Sequence, residues 1–307
     1  MPVKHTVNIL ISKYGLVFKM IAYYALSLLL FVSIAASIVS PIFGSMFEEI
    51  AATGVSAQIS QFFDEFLHGE SSIVDTFGAI GSTFNSIIDI VRSNNTAVVN
   101  GLAVFGVFAV LYLFVVAMSN LVCSDVINTF MNSNSRFGFT SNFIFNLKRS
   151  ALYALIYLVT YLPASLVVLV LAVLTASVLI KLGALLLALP VAVLLFLVLQ
   201  SLVLTVFCGW LPAVVYDKCK VGKALVEGPK QIWKHFDYCW MSMFVTMFLS
   251  FIFVVASTIF TFGVGFIIAF PTAVVAVKIL ELVLYYNVRG YKFYETEKMI
   301  TDDKLSD

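Results

Sequence analysis

Charged residues are scarce in this sequence. They make up 11% of its 307 residues, against 61% that are hydrophobic, and the formal net charge is +1. Soluble globular domains carry about 25% charged residues, so this composition excludes an ordinary soluble domain. A net charge near zero, with the basic residues spread over several segments, also gives no support to nucleic-acid binding.

Residue patterns that perform chemistry are also missing. The histidines, His5, His68 and His235, all lie outside the long apolar runs, so no Ser/His arrangement for hydrolysis within a membrane is present. The four cysteines show no CxxC or His/Cys spacing, which argues against a metal site and a disulfide framework. Phosphate-loop and dinucleotide-binding glycine patterns are absent as well. We therefore expect no catalytic residue, no metal and no cofactor, and an enzyme is the less favoured hypothesis.

Long apolar runs occupy most of the chain. At about 20 residues per crossing, each is long enough to span about 30 Å of hydrocarbon. The runs are continuously apolar, whereas a barrel strand would alternate over about ten residues, so helices are favoured. The sequence predicts an all-α, polytopic membrane helix bundle of about six transmembrane helices, forming one integral membrane domain over 1–307. The predicted spans are 20–43, 97–122, 150–180, 183–216, 240–262 and 264–286.

The basic residues indicate the orientation of these spans. All but three of the 18 lysines and arginines fall in segments on one side of the membrane, the exceptions being Arg92, Lys181 and Lys278. Because cytoplasmic loops carry an excess of lysine and arginine, this bias predicts that both termini are inside. The first apolar run is longer than the about 7 to 15 residues of a signal-peptide core, so we expect it to be a retained anchor.

The first outer loop, 44–95, carries acidic residues but no lysine. Its apolar residues recur near helical spacing in two stretches, which predicts two amphipathic helices in this loop. Their apolar faces must be buried against another surface. Three possibilities remain open: the helix bundle of the same chain, the membrane surface and a second protein.

An inner loop, 217–238, concentrates basic residues on one helical stripe. Glu227 is the acidic member of this stripe, and apolar residues occupy the opposite side, which predicts a basic amphipathic helix lying in the inner membrane interface. The lysines of the stripe are Lys220, Lys223, Lys230 and Lys234. The tryptophans in or beside the loop, where indole rings favour the headgroup level, are Trp210, Trp233 and Trp240.

Two hypotheses explain this lysine stripe. In the first, the lysines and Trp233 bind anionic lipid headgroups or a membrane-protein partner, at about 1 kcal/mol for each lysine near an anionic leaflet. In the second, the lysines only mark the cytoplasmic side of the membrane. The expected partners are thus membrane lipids or a second membrane protein, and no nucleic acid.

Lys278 and Glu281 are the ionisable residues that lie deep in an apolar run. At a spacing of three they share one helix face, and an unpaired charge near the bilayer centre costs at least about 2.5 kcal/mol, so we expect them to pair. The pair could line a route for protons, ions or a substrate. Alternatively, it is an ion pair that ties the last helix to its neighbours.

The C-terminal part of the chain carries a set of weak motifs. Pro212 lies at the inner end of a span, Ala224 and Leu225 form a step in the inner helix, and the last span runs into a tyrosine-rich segment at Tyr285, Tyr286, Tyr291 and Tyr294. In these features the sequence resembles the YciC-like bacterial membrane proteins and the membrane domain found with glycerophosphodiester phosphodiesterases. The resemblance implies a six-helix protein of the bacterial cytoplasmic membrane. It implies no catalytic residues.

From the residues and the resemblance together we expect a non-enzymatic polytopic inner-membrane protein. Its role would be membrane support, assembly, or interaction with lipid or a partner through the basic cytoplasmic helix. The alternative is a transporter or channel subunit that uses the Lys278/Glu281 pair.

Overall fold

The computed structural model describes residues 2–54, 57, 60, 86–133, 138–295 and 299–300. The helices are α1 (Pro2–Ser12), α2 (Tyr14–Ala52), α3 (Asn95–Ser133), α4 (Phe139–Phe145), α5 (Leu147–Lys181), α6 (Leu185–Phe207), α7 (Trp210–Val215), α8 (Val221–Ile232), α9 (Phe236–Phe260) and α10 (Phe266–Arg289). A 3₁₀ turn, Trp233–His235, joins α8 to α9, and residues 86–93 are also helical. Two short strands, β1 (Phe293–Tyr294) and β2 (Met299–Ile300), pair in antiparallel fashion.

Six helical segments are long and apolar enough to cross a membrane. They are Tyr14–Gly44, Asn95–Ser133, Leu147–Lys181, Leu186–Val215, Val221–Phe260 and Phe266–Arg289. The prediction of an all-α polytopic bundle with six spans is therefore confirmed. Several helices continue past the predicted span ends. In α3, the polar residues Ser124 and Asn128 lie beyond the predicted end and are buried against protein. The orientation of the spans across the membrane stays a prediction.

The chain forms two compact units, one comprising Leu26–Tyr112 and the other comprising the segments Met1–Ala25 and Leu113–Asp307. Each unit has its own apolar core. The predicted single domain over 1–307 stays a prediction.

The unit Leu26–Tyr112 contains parts of α2 and α3. Phe43 is buried at the centre of its core, and a Cβ on Gly101 would overlap the Phe43 ring, so the two helices approach closely there. Outside this contact the helices expose apolar side chains such as Leu26 and Leu102, as lipid-facing helices do. Most of the predicted amphipathic helices of 44–95 lie outside the described residues; of the parts described, 44–52 continues α2 and 86–93 is helical.

In the other unit, α10 is the central helix. Its side chains are buried without a break from Lys278 to Asn287, whereas Phe266 and Phe270 at its beginning are about half exposed. The buried part packs in two apolar clusters with residues of α1, α3, α7 and β1. The ends of α5, α6, α9 and α10 that are remote from α8 expose large apolar side chains such as Leu186 and Phe260, which suits contact with lipid.

Helices α7 and α8 meet backbone to backbone. A Cβ on Gly209 would overlap the carbonyl of Gly228, and a Cβ on Gly228 would overlap that of Gly209. Beside this contact, the Trp210 indole N–H donates to the Val221 carbonyl oxygen at 3.0 Å. Helix α8 is thus held against α7 at its first turn, through Val221, and at its middle, through Gly228.

Trp210 is buried within the protein. Its side chain is 1% exposed, with the Tyr153 ring centroid 4.6 Å away. A buried indole needs a partner for its N–H, and the Val221 carbonyl is that partner. The ring thus contacts protein on all sides, and its place at the headgroup level stays a prediction.

The glycine contact can be tested by adding a single methyl group. We expect Gly228→Ala to lower the free energy of unfolding by about 1–3 kcal/mol relative to Gly222→Ala, because overpacking displaces α8 from α7. Gly222 is the matched control: it lies on the same helix, and no atom lies within 4 Å of where its added methyl group would stand. The measurement is reversible denaturation in mixed micelles, and equal stability of the two variants would contradict the contact.

Candidate functional site

The free face of α8 carries the predicted lysine stripe. The side chains of Lys220, Lys223, Lys230 and Lys234 are all exposed. The opposite face, formed by Val221, Ala224, Gly228 and Ile232, is buried against the protein. Helix α8 thus has a buried face and an exposed face. Lys223 forms an ion pair with Glu227 at 3.1 Å, one turn along the helix.

Two apolar side chains share the free face with the lysines. Val226 is 69% exposed and Trp233 is 60% exposed, and the two are seven positions apart, so they lie on one edge of the helix. The Trp233 ring packs on Phe236, with centroids 5.1 Å apart. The sequence pattern assigns the apolar residues of this helix only to its buried side, so it does not reveal the exposed Val226.

The loop before α8 is attached to three other elements. Arg149 of α5 donates to the backbone carbonyls of Val214 and Cys219, the latter at 3.1 Å. Lys218 lies 3.7 Å from the Asp125 carboxylate of α3. The Tyr216 ring packs on the Tyr286 ring of α10, with centroids 5.0 Å apart. These contacts give α8 a fixed starting point.

A cavity of about 700 Å³ lies between the end of α8 and the end of α10. Lysine, histidine and arginine side chains from both ends line it, together with one carboxylate. The lining residues are Glu227, Lys230, Gln231, Lys234, His235, Val288 and Arg289. The structure thus places two of the predicted lysines, Lys230 and Lys234, in a cavity, and Lys220 and Lys223 outside it.

Arg289 is held rigidly at the edge of this cavity. Its guanidinium donates to Asp217 at 2.9 Å, to the Tyr285 hydroxyl at 2.9 Å and to the Tyr291 hydroxyl at 3.2 Å. Tyr285 in turn donates to the same Asp217 carboxylate oxygen. The Arg289 Nε is buried and has no hydrogen-bond partner among the described residues. In the sequence, Arg289 is only one of the basic residues that indicate orientation, so its place at the cavity is new.

The pair in α10 is formed as predicted. The Lys278 ammonium lies 2.7 Å from the Glu281 Oε1, and the two residues are 8% and 4% exposed. The other Glu281 oxygen, Oε2, has no hydrogen-bond partner in the described part of the chain. Tyr161 of α5 interacts electrostatically with both members of the pair.

A second polar group joins α5 to α6. Gln200 donates to the Tyr161 hydroxyl at 2.7 Å and to the Ser165 hydroxyl at 3.0 Å. The Lys278/Glu281 pair itself is buried within the protein. Neither Lys278 nor Glu281 lines the cavity at α8 or the apolar cavity between α1, α9 and α10.

Neither the metal-ligating side chains nor comparison with known proteins assigns a function to this site. In the part of the chain that the structure describes, no group of three or more histidine, cysteine, aspartate or glutamate side chains is placed to hold a metal ion. The six apolar helices define the class as a multi-pass α-helical membrane protein. Comparison with protein-family models, curated proteins and solved structures finds no match.

The role of the buried pair can be tested by a double-mutant cycle. We expect Lys278→Met and Glu281→Gln each to lower the free energy of unfolding, by up to about 3–5 kcal/mol where the remaining partner keeps its charge. The double variant should recover much of this loss, because no unpaired charge remains. Denaturation in mixed micelles measures all four proteins. Additive losses in the double variant would show that the two side chains do not stabilise each other.

Proposed function

We propose that this protein is a non-enzymatic multi-pass protein of the bacterial cytoplasmic membrane, which binds anionic lipid headgroups through the free face of α8. The observation that carries the proposal is the combination on that face of exposed lysines with exposed Val226 and Trp233. Through this contact the protein would support or organise the surrounding membrane and its assemblies.

The arrangement of the free face suits the membrane interface. An edge with Val226 and Trp233 has a favourable place at the boundary of the acyl chains, where a tryptophan ring is commonly found. The lysines beside it can bury their methylene stems and hold their charges at the headgroup level. In water, the exposed apolar edge would not stabilise the protein. In the headgroup region, the apolar edge can contact acyl chains and the lysines can contact phosphate groups.

The size of the effect follows from the number of lysines. Each lysine close to an anionic leaflet contributes about 1 kcal/mol, and the effect falls off within a Debye length. Lys223 contributes less than the others, because its charge is shared with Glu227 at 3.1 Å. The stripe as a whole therefore favours an anionic over a neutral bilayer by a few kcal/mol.

The cellular location of this protein and its resemblance to the YciC-like proteins are also part of the proposal. The resemblance to the YciC-like proteins, carried by residues such as Pro212, Ala224 and Tyr294, supports a bacterial cytoplasmic membrane. The excess of basic residues on one side supports the inner leaflet as the site of contact. A second membrane protein with an acidic surface is the alternative partner for the same face.

One observation favours a second candidate function. The Glu281 Oε2 is buried without a hydrogen-bond partner among the described residues, which is a feature of groups that exchange protons or ions. In this second proposal the protein is a transporter or channel subunit that uses Lys278 and Glu281. The enclosure of both side chains, at 8% and 4% exposure, favours the lipid-binding proposal instead.

The lipid-binding proposal is tested by removing the charges of the stripe. We expect the combined variant Lys220→Gln, Lys223→Gln, Lys230→Gln and Lys234→Gln to bind anionic lipid at least about tenfold more weakly than the unmodified protein, because a few kcal/mol of attraction are lost. The measurement is lipid retention by the full-length protein, purified in mild detergent and titrated with phosphatidylglycerol.

Lys181→Gln is the control for this experiment, because Lys181 is exposed at the opposite end of α5 and lies outside the stripe. It should bind phosphatidylglycerol as the unmodified protein does. Retention that stays the same after all four α8 substitutions would rule out the proposal.

A further inference from the structure

The cavity at the end of α8 differs from the rest of the lysine stripe because two elements build it. Lys230, Lys234 and His235 come from the end of α8 and the following turn, and Arg289 comes from the last turn of α10. A charged membrane surface needs no such cavity, since exposed lysines on one helix face are sufficient. The cavity therefore offers room for a discrete ligand.

The lining of this cavity is mainly basic. Glu227 is its one lining carboxylate, and that carboxylate is already engaged by Lys223 at 3.1 Å and contacted by the Cys219 thiol at 3.9 Å. Arg289 is paired with Asp217 at 2.9 Å, whereas Lys230 and Lys234 have no ion-pair partner within the described residues. The charges of these two lysines are thus uncompensated, which is an arrangement expected at a site for an anion.

Arg289 supplies the fixed point of the site. Asp217, Tyr285 and Tyr291 accept hydrogen bonds from its two terminal nitrogens, which orients the guanidinium at the edge of the cavity. A guanidinium that the protein has already oriented loses little conformational entropy when a ligand binds. The flexible Lys230 and Lys234 can then approach the ligand from the α8 side.

The number of donors and the volume restrict the ligand. Ligand cavities commonly measure about 300–1,000 Å³, so 700 Å³ holds a phosphate together with a small organic group. A terminal phosphate, in a phosphomonoester, offers three free oxygens and close to two negative charges, whereas the phosphate of a diester offers two free oxygens and one charge. Arg289, Lys230 and Lys234 line one cavity, and three cationic side chains match the higher charge and the three oxygens of a terminal phosphate better.

We infer that this cavity is a binding site for a terminal phosphate group, which Arg289, Lys230 and Lys234 would contact. The inference rests on the proposed function, since it assigns a particular headgroup chemistry to the end of the same helix. Two sources can supply this chemistry: the phosphomonoester headgroup of phosphatidic acid and a free phosphate in the cytoplasm.

The test compares two pairs of substitutions that remove the same charge from the segment 218–234. The pocket variant is Lys230→Gln with Lys234→Gln, and its matched control is Lys218→Gln with Lys220→Gln, neither of which lines the cavity or pairs with a residue that does. All four side chains are exposed, so both variants should fold, which their melting temperatures check. Equilibrium binding to the full-length protein in mild detergent is measured with phosphatidic acid and with phosphatidylglycerol.

We expect the unmodified protein to bind phosphatidic acid about tenfold more tightly than phosphatidylglycerol, a preference that corresponds to one strong charge-assisted contact. The pocket variant should lose this preference, and the control variant should keep it. Inorganic phosphate is added as competitor: displacement of phosphatidic acid at millimolar concentration identifies a site that also accepts soluble phosphate, and failure to displace identifies a lipid site. Both results support a phosphate site.

Two results would overturn the inference while leaving the proposed function intact. One is equal affinity of the unmodified protein for phosphatidic acid and phosphatidylglycerol. The other is an equal loss of affinity in the two paired variants, which would mean that these lysines act only as a charged surface. If the variant lacking all four lysines of the stripe binds both lipids as the unmodified protein does, the proposed function and the inference fall together.

Discussion

The enclosure of α10 from Lys278 to Asn287 is the constraint around which its unit is built. A helix with no exposed side must obtain partners for its polar side chains from other parts of the protein, because water does not reach them. Lys278 pairs with Glu281 on the same helix, and Tyr286 donates to the Asn128 amide oxygen of α3 at 2.8 Å. The contact with Asn128 explains why α3 remains helical past its apolar stretch: the polar turn that carries Asn128 packs against α10.

The same enclosure positions the candidate site. Where α10 ends, Tyr285 and Arg289 converge on Asp217, in the loop that leads into α8. One end of α8 is therefore linked to the central helix through this loop, and its middle is linked to α7 through Gly228. The lysines project from a helix whose position is determined by the buried core. The exposed lysines of α8 and the buried Lys278/Glu281 pair thus both depend on the position of α10.

Local periodicity in the sequence predicts a large part of the structure. Continuous apolar runs predict the spans, the spacing of three predicts the Lys278/Glu281 contact, and a helical wheel predicts the two faces of α8. Contacts between distant segments, such as Gly209 with Gly228 or Asp217 with Arg289, are not predicted. A single sequence does not indicate such pairs, because each residue taken alone is compatible with a loop, with a helix or with the excess of basic residues beside a membrane span. The cavity beside α8 is formed by contacts of this kind, so the sequence does not reveal it either.

The backbone contact between Gly209 and Gly228 has a consequence for the speed of the proposed lipid binding. Many interfacial helices fold only when they meet a bilayer, and they detach when the lipid composition changes. Helix α8 differs from these, because its position against α7 is set within the protein. In the proposed function, headgroups would exchange while the helix stays in place, so the occupancy of its face would follow the composition of the leaflet without a folding step.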